Sequence, residues 1–412
     1  MGIKAAGRLW HVPARFGISE DTLYVPYETI PHVYGTYAYW ASGNMKEAEG
    51  LGIEKKDSDK TDYDDVLVAM NEKGLVLSCN MCYSREPNLE RKGIRRYAIR
   101  QLIPERCATA REGVELIAEL IDKYGQADWG GLHYSLSDEK ETWIVETTSY
   151  HWIARKLKDD EILAVANRFT IESDYDLASD DIESYAQEKG WFSGEVFSFR
   201  DSYSLPERVE KPYDTLREKR VYDKLKPLKH GIAVDDVVDV ISDRYEGTDN
   251  FRNHCEDIEL WEDVCKDLKL PRPIATNLCQ SSFITVQSSR KSEALGTQMW
   301  FSFGQPGCFG YVPVFKGSDK IAPSFAAETS NGSAWKIAKE IESKVNRNKD
   351  ARYFDNILYW KQQRNEVLGC LFSVSTIEKD VAEEYFCNVL QDITYNNSVR
   401  VVEKAMKMLC YI

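Results

Sequence analysis

Apolar and polar positions divide the chain into short strand-like and helical stretches. Val66-Leu67-Val68-Ala69-Met70 is an unbroken apolar run, followed by Asn71-Glu72-Lys73-Gly74 and then Leu75-Val76-Leu77-Ser78-Cys79-Asn80. Two such runs around a Gly-bearing turn predict a β-hairpin, with Gly74 supplying positive φ. Residues 142–147 and 151–155 predict a second hairpin. Between the hairpins, Thr109-Ala110-Arg111-Glu112 is a capping box. Val114, Ile117, Leu120, Ile121 and Tyr124 then recur at helical spacing until Gly125. An earlier helix is expected over 91–102, carrying Arg91, Lys92, Arg95, Arg96 and Arg100. Another is expected from Ser179 to Gly190, with Asp180 and Asp181 in its first turn. Val165-Ala166-Asn167-Arg168-Phe169-Thr170 reads as strand-like.

After about residue 205 the pattern weakens into polar loops and short helices. Strand character returns at 282–286, 299–303 and 311–315. From Ser333 onward Trp335, Ile337, Ile341 and Val345 mark helices. Hairpins dominate the strand pairs, so mainly antiparallel sheets with helices outside are expected. This is an α+β fold, and a four-layer αββα sandwich fits it. The expected organisation is one such domain over 1–325 and a helical C-terminal extension over 326–412.

Composition narrows the possibilities. The chain has 412 residues, 43% hydrophobic and 29% charged, as globular proteins have. Asp and Glu number 67 against 53 Lys and Arg, giving a net charge of −14. That field repels phosphate backbones and argues against nucleic acid as the main partner. No stretch approaches the ~20 apolar residues of a membrane span, so no membrane partner is expected. The opening residues lack a signal-peptide core, and Ala6 stands where myristoylation wants Ser or Thr. A cytoplasmic protein is therefore expected. Ten cysteines are too few for a disulfide scaffold of this length.

Candidate chemistry is sparse. Cys79-Asn80-Met81-Cys82 is a C-x-x-C, but it lacks the second pair a zinc site wants. On a strand, residues three apart also point to opposite faces. His11, His32, His133, His151, His230 and His254 have no metal-ligand spacing, and are read as surface or satisfied core imidazoles. Asp174, Asp176, Asp180 and Asp181 do not meet the calcium-loop pattern. The basic helix is read as a solvated face rather than a carboxylate collector. No nucleophile elbow or phosphate-binding loop appears. No metal or cofactor is expected. Asn80 ends a hairpin strand and Asn167 lies in the strand-like run; either amide could donate to an oxyanion, or merely cap a turn.

Several segments together resemble a family. Asp64-Asp65-Val66-Leu67-Val68-Ala69-Met70-Asn71-Glu72-Lys73-Gly74-Leu75 is similar to a hairpin of N-terminal-nucleophile (Ntn) amide hydrolases. The stretch from Thr109 to Gln126, Trp143-Ile144-Val145-Glu146-Thr147, His151-Trp152 and Ala166-Asn167-Arg168-Phe169 resemble the dipeptidase and secernin family of these enzymes. So do Ile30-Pro31-His32-Val33-Tyr34-Gly35-Thr36-Tyr37-Ala38, Asp176-Leu177-Ala178-Ser179-Asp180-Asp181, Arg272-Pro273-Ile274-Ala275 and Gln280-Ser281-Ser282-Phe283. Penicillin V acylase and bile salt hydrolase share that fold. The resemblance implies an αββα Ntn hydrolase that cuts an amide bond, often of a dipeptide. Its nucleophile would be an N-terminal Cys with its own α-amine as base. Asn167 and Asn80 match the positions of its oxyanion donors. His11-Val12-Pro13-Ala14-Arg15 resembles sequence that follows the family's nucleophile segment, so that segment is expected to lie outside this chain. Cys79 has no free amine and cannot replace it. A catalytically inactive, secernin-like interaction protein and a penicillin-acylase-like amidohydrolase are the alternatives. A small peptide is the expected partner, and a homo-oligomer is left open.

Overall fold

A computed structural model describes residues 7–18, 22–25, 28–44, 66–88, 92–128, 130–228, 231–250, 272–276, 279–287, 293–329, 331–347, 351–377 and 383–411. Five strands open the chain: β1 (Gly7–Val12), β2 (Arg15–Phe16), β3 (Thr22–Val25), β4 (Glu28–Pro31) and β5 (Gly35–Thr36). Then come β6 (Tyr39–Asn44), β7 (Val66–Asn71), β8 (Val76–Cys82), α1 (Arg96–Arg106) and α2 (Ala110–Tyr124). They are followed by β9 (Gly131–Ser137), β10 (Thr142–Thr147), β11 (Trp152–Lys156) and β12 (Leu177–Ala178). Four helices succeed these: α3 (Ile182–Glu188), α4 (Phe199–Tyr203), α5 (Pro206–Val209) and α6 (Pro212–Leu225). The chain forms two compact units. One holds Val12–Gly43 and Glu54–Glu218; the other holds Met1–His11, Asn44–Ile53 and Lys219–Ile412.

In the first of these units, strands hydrogen-bond in the order β6-β7-β8-β9-β10-β11-β12. Successive pairs are antiparallel, and both expected hairpins are present. Gly74 turns the first at φ 86°. Alternation along the strands sends Leu77, Leu132, Tyr134, Leu136, Trp143 and Val145 to one face. There they pack with Ile99, Leu102, Ile103, Val114, Ile117 and Ile121 of α1 and α2. Each such fully buried side chain contributes roughly 1.5–3 kcal/mol. Cys82, Ile144 and Ile153 point to the other face, against Phe169, Ile171, Phe197, Phe199 and Tyr203. Helix α2 starts at the expected N-cap, where Thr109 Oγ1 accepts from the Glu112 N–H. It ends at Gly125 with φ 72°.

The other unit contains α7 (Val234–Ile241) and an antiparallel sheet of β13 (Ser281–Gln287), β14 (Thr297–Phe303) and β15 (Val312–Phe315). Helices Ala334–Arg347, Ala351–Ile377 and Glu383–Tyr411 follow. Val367 and Leu371 from the second of these, and Phe386 and Leu390 from the third, share a core with Trp300, Tyr311 and Phe315. The α+β class with antiparallel sheets is thus what the chain adopts.

Three local expectations need correction. The run 165–170 is irregular; the Ala166 and Thr170 N–H groups go to the Glu218 and Glu146 carboxylates rather than to a strand. The basic helix begins at Arg96, after the turn at Gly93, whose φ is 109°. Two of its basic residues are not on a solvated face: Arg100 is buried with its guanidinium 4.6 Å from the Tyr97 ring, and Arg96 pairs with Asp128; Lys92 is exposed, and Arg91 lies outside the described residues. The helix expected from Ser179 begins at Ile182, since Ser179 Oγ instead receives the Trp152 N–H of β11.

Candidate active site

The register of three strands assembles a polar row on the face opposite α1 and α2. Asn80 of β8 stands opposite His133 of β9, which stands opposite Glu146 of β10. His133 Nδ1 lies 3.2 Å from Glu146 Oε1, and its Nε2 lies 3.2 Å from Ser135 Oγ. Glu146 is wholly buried. Its Oε1 also accepts from the Thr170 N–H at 2.6 Å and the Thr170 hydroxyl at 2.9 Å, and its Oε2 accepts from the Ile171 N–H at 3.1 Å. A buried carboxylate needs such partners, since leaving it unsatisfied costs several kcal/mol.

The segment around Asn167 crosses the end of β8. Asn167 Nδ2 donates to the Met81 carbonyl at 3.0 Å, and Asn80 Nδ2 approaches the Val165 carbonyl at 3.4 Å. The stretches that carry the two asparagines, 87 positions apart in sequence (167 minus 80), are thus joined by crossed amide-to-carbonyl bonds. Arg217 of α6 donates through Nη2 to Asn167 Oδ1 at 3.0 Å, and the same nitrogen reaches the buried Asp214 carboxylate at 2.6 Å. Glu218 grips both neighbours of Asn167. Its Oε1 accepts the Ala166 N–H at 3.0 Å, and Arg168 forks onto its two oxygens at 2.7–3.1 Å. Both asparagines are half-buried. Each amide nitrogen carries two N–H groups, and the bond described above uses one. A side-chain amide N–H of this kind can stabilise a developing oxyanion. A cation donating to Oδ1 strengthens the Asn167 N–H as a donor.

Asn80 and Asn167 were singled out in the sequence; Arg217, His133 and Glu146 were not. The alternation in Gly131–Ser137, apolar at 132, 134 and 136 and polar at 133, 135 and 137, was the available signal for His133. Arg217 gave none, because its role depends on where α6 lies.

Cys79 and Cys82 point to opposite faces of the sheet, into different cores. Burial pushes the Cys79 thiol up to about 11 and raises the Cys82 thiol well above its ordinary value. Among the described residues no His, Cys, Asp and Glu group has the arrangement of a metal site. Asp174 and Asp176 pair with Arg155 and the Lys156 N–H. A second polar cluster lies beside an open cleft of about 570 Å³, lined by His151, Tyr150, Trp152, Asp122, Asp181 and Tyr185 among others. There His151 Nδ1 lies 2.7 Å from buried Glu86, and its Nε2 lies 3.3 Å from Asp181. Burial alone would lower His151, but the two carboxylates leave it above its ordinary value. His133 and His151 are thus satisfied core imidazoles; His230 and His254 lie outside the described residues.

Among the described residues no helix is long and apolar enough to cross a membrane. The chain is similar to a protein named "Probable dipeptidase" from Latilactobacillus sakei, 25% identical over 70% of this chain and 62% of that protein. It is also similar to a "Probable dipeptidase" of Salmonella dublin, 24% identical over 62% of this chain and 63% of that one. The chain thus spans less than two thirds of the length of these curated relatives. A solved conjugated bile acid hydrolase from Clostridium perfringens aligns with 78% of this chain and 85% of its own, at 14% identity and a TM-score of 0.31. The model of peptidase family C69 matches residues 36–348. With three quarters of its length so matched, the chain belongs to peptidase family C69.

Proposed function

We propose that this protein hydrolyses an amide bond, that of a dipeptide, as a cysteine enzyme of the Ntn type. The observation that supports this reading is the pair of crossed amide-to-carbonyl bonds that ties the Asn167 segment to the end of β8 beside Asn80, in a chain of a peptidase family. The nucleophile is the thiol of a mature N-terminal Cys. Its α-amine, with an ordinary pKa near ~8, takes the thiol proton. The sulfur attacks the carbonyl carbon, and the oxyanion rests on the Asn80 and Asn167 amides. The ammonium returns the proton to the leaving amine, and water then hydrolyses the thioester. Cys79 and Cys107 are poor substitutes, since burial pushes them up to about 11 and about 12 and neither has a free amine. All eight described cysteines are free thiols, which suits a cytoplasmic enzyme.

The test is hydrolysis of a dipeptide panel by the full-length protein, with its N-terminal residue identified by mass spectrometry. Free amino acids should be released, and Asn167→Ala should lower kcat by roughly 10²–10³-fold. A protein that bears an N-terminal Cys yet cuts no dipeptide would refute the proposal and leave the secernin-like binding role. Undiminished turnover in Asn167→Ala would refute the site assignment alone.

A further inference from the structure

Building on the reaction just proposed, we infer that Glu146, with His133 beside it, is a positioning residue that fixes the oxyanion-binding amide of Asn167 against Asn80. The segment bearing Asn167 has no strand to hold it. From residue 157 to residue 176 the chain is irregular, so its backbone N–H groups need other acceptors. Glu146 provides them three residues beyond Asn167, accepting from the Thr170 N–H, the Thr170 hydroxyl and the Ile171 N–H. The same carboxylate faces His133, the residue opposite Asn80. One buried group therefore touches both the segment that carries one donor and the strand row that carries the other. Phe169, fully buried between these contacts, packs so closely over β9 that its ring leaves no room for a Cβ on Gly131. On the other side of Asn167, Glu218 holds Ala166 and Arg168. The segment is thus fixed on both sides of Asn167, and of these two carboxylates it is Glu146 that faces His133 in the row of Asn80.

Glu146 accepts three hydrogen bonds, from the Thr170 N–H, the Thr170 hydroxyl and the Ile171 N–H, and His133 Nδ1 lies 3.2 Å from it. In Glu146→Gln the volume is kept, but an NH₂ replaces one oxygen and faces either the Thr170 or the Ile171 N–H. The segment should loosen without losing its apolar packing. Displacements of about 1 Å at a reacting group can cost on the order of 10²-fold in rate.

The experiment compares wild type, Glu146→Gln, Asn167→Ala and the double variant in the full-length protein. Amide hydrogen exchange at Thr170 and Ile171 should accelerate by about tenfold or more in Glu146→Gln, while exchange in α2 stays unchanged. The kcat for dipeptides should fall by roughly 10–100-fold with KM nearly constant, as expected when a transition-state contact is lost. Because the effect passes through Asn167, adding Glu146→Gln to Asn167→Ala should cost no further activity. Multiplying losses, or unchanged exchange at Thr170 and Ile171, would overturn the inference. If Glu146→Gln does not fold, Thr170→Val removes one donor to the same oxygen and should lower kcat in the same direction; an unchanged kcat would again overturn it. Should no variant or wild type cut dipeptides, the proposed reaction fails, and the exchange measurement still decides whether Glu146 holds the segment.

Discussion

At the residue scale, environment separates groups that look alike in sequence. Cys79 and Cys82 are three positions apart, yet they lie in different cores with raised thiol pKa values. Cys370 and Cys410 are exposed. Among the described cysteines, a thiol reagent at neutral pH should therefore label Cys370 and Cys410 first, and reach Cys82, Cys107 and Cys308 only on unfolding. Peptide mapping by mass spectrometry checks the order. The Glu86–His151 pair predicts a pH dependence. Burial alone would raise Glu86, but hydrogen bonds from His151, Thr148 and the Tyr150 N–H leave it below its ordinary 4.5. His151 is held above its ordinary 6.5. The stability from His151 is complete below 6.5 and fades as pH rises through its raised value; that from Glu86 is complete above 4.5 and fades as pH falls through its lowered value. The Tm difference between wild type and His151→Gln should thus be greatest between pH 4.5 and 6.5 and shrink on both sides. A difference that keeps growing toward pH 9 would contradict this assignment.

At the element scale, local rules were readable wherever the backbone satisfies itself. Gly74, Thr109 and Gly125 marked a turn and two helix ends because positive φ and orphan N–H groups demand particular residues. Thr109→Ala should accordingly cost about 1 kcal/mol in urea unfolding. The rule failed at 165–170, whose apolar residues looked like a strand. Long-range carboxylates, Glu218 and Glu146, take up the Ala166 and Thr170 N–H groups, and nothing in the local pattern announces them. Asn167 was expected as an oxyanion donor only through resemblance, and the contact of Arg217 with it was not legible at all, because the two lie 50 positions apart (217 minus 167).

At the scale of the whole molecule, each compact unit draws on separated stretches of chain, so its boundaries leave little trace in local composition. The antiparallel class, by contrast, followed from two hairpins. The last helix is integral to its unit: Phe386, Leu390, Val401 and Ala405 are almost fully buried. Losing Phe386, Leu390 and Val401 alone forfeits about 1.5–3 kcal/mol each, comparable to the ~5–15 kcal/mol stability of ordinary domains. A chain ending before Glu383 should therefore lose its sharp melting transition and aggregate on size-exclusion chromatography.

The row Asn80, His133, Glu146 exists only because three strands keep a common phase. Removing a single residue from the middle of β9 would turn His133 toward the helices and bring Leu132 or Tyr134 into the row. Length changes at the 138–141 connection leave that parity untouched. Deletions and insertions along this hairpin should therefore alternate between harmless and ruinous according to whether they fall in the bend or in the ladder.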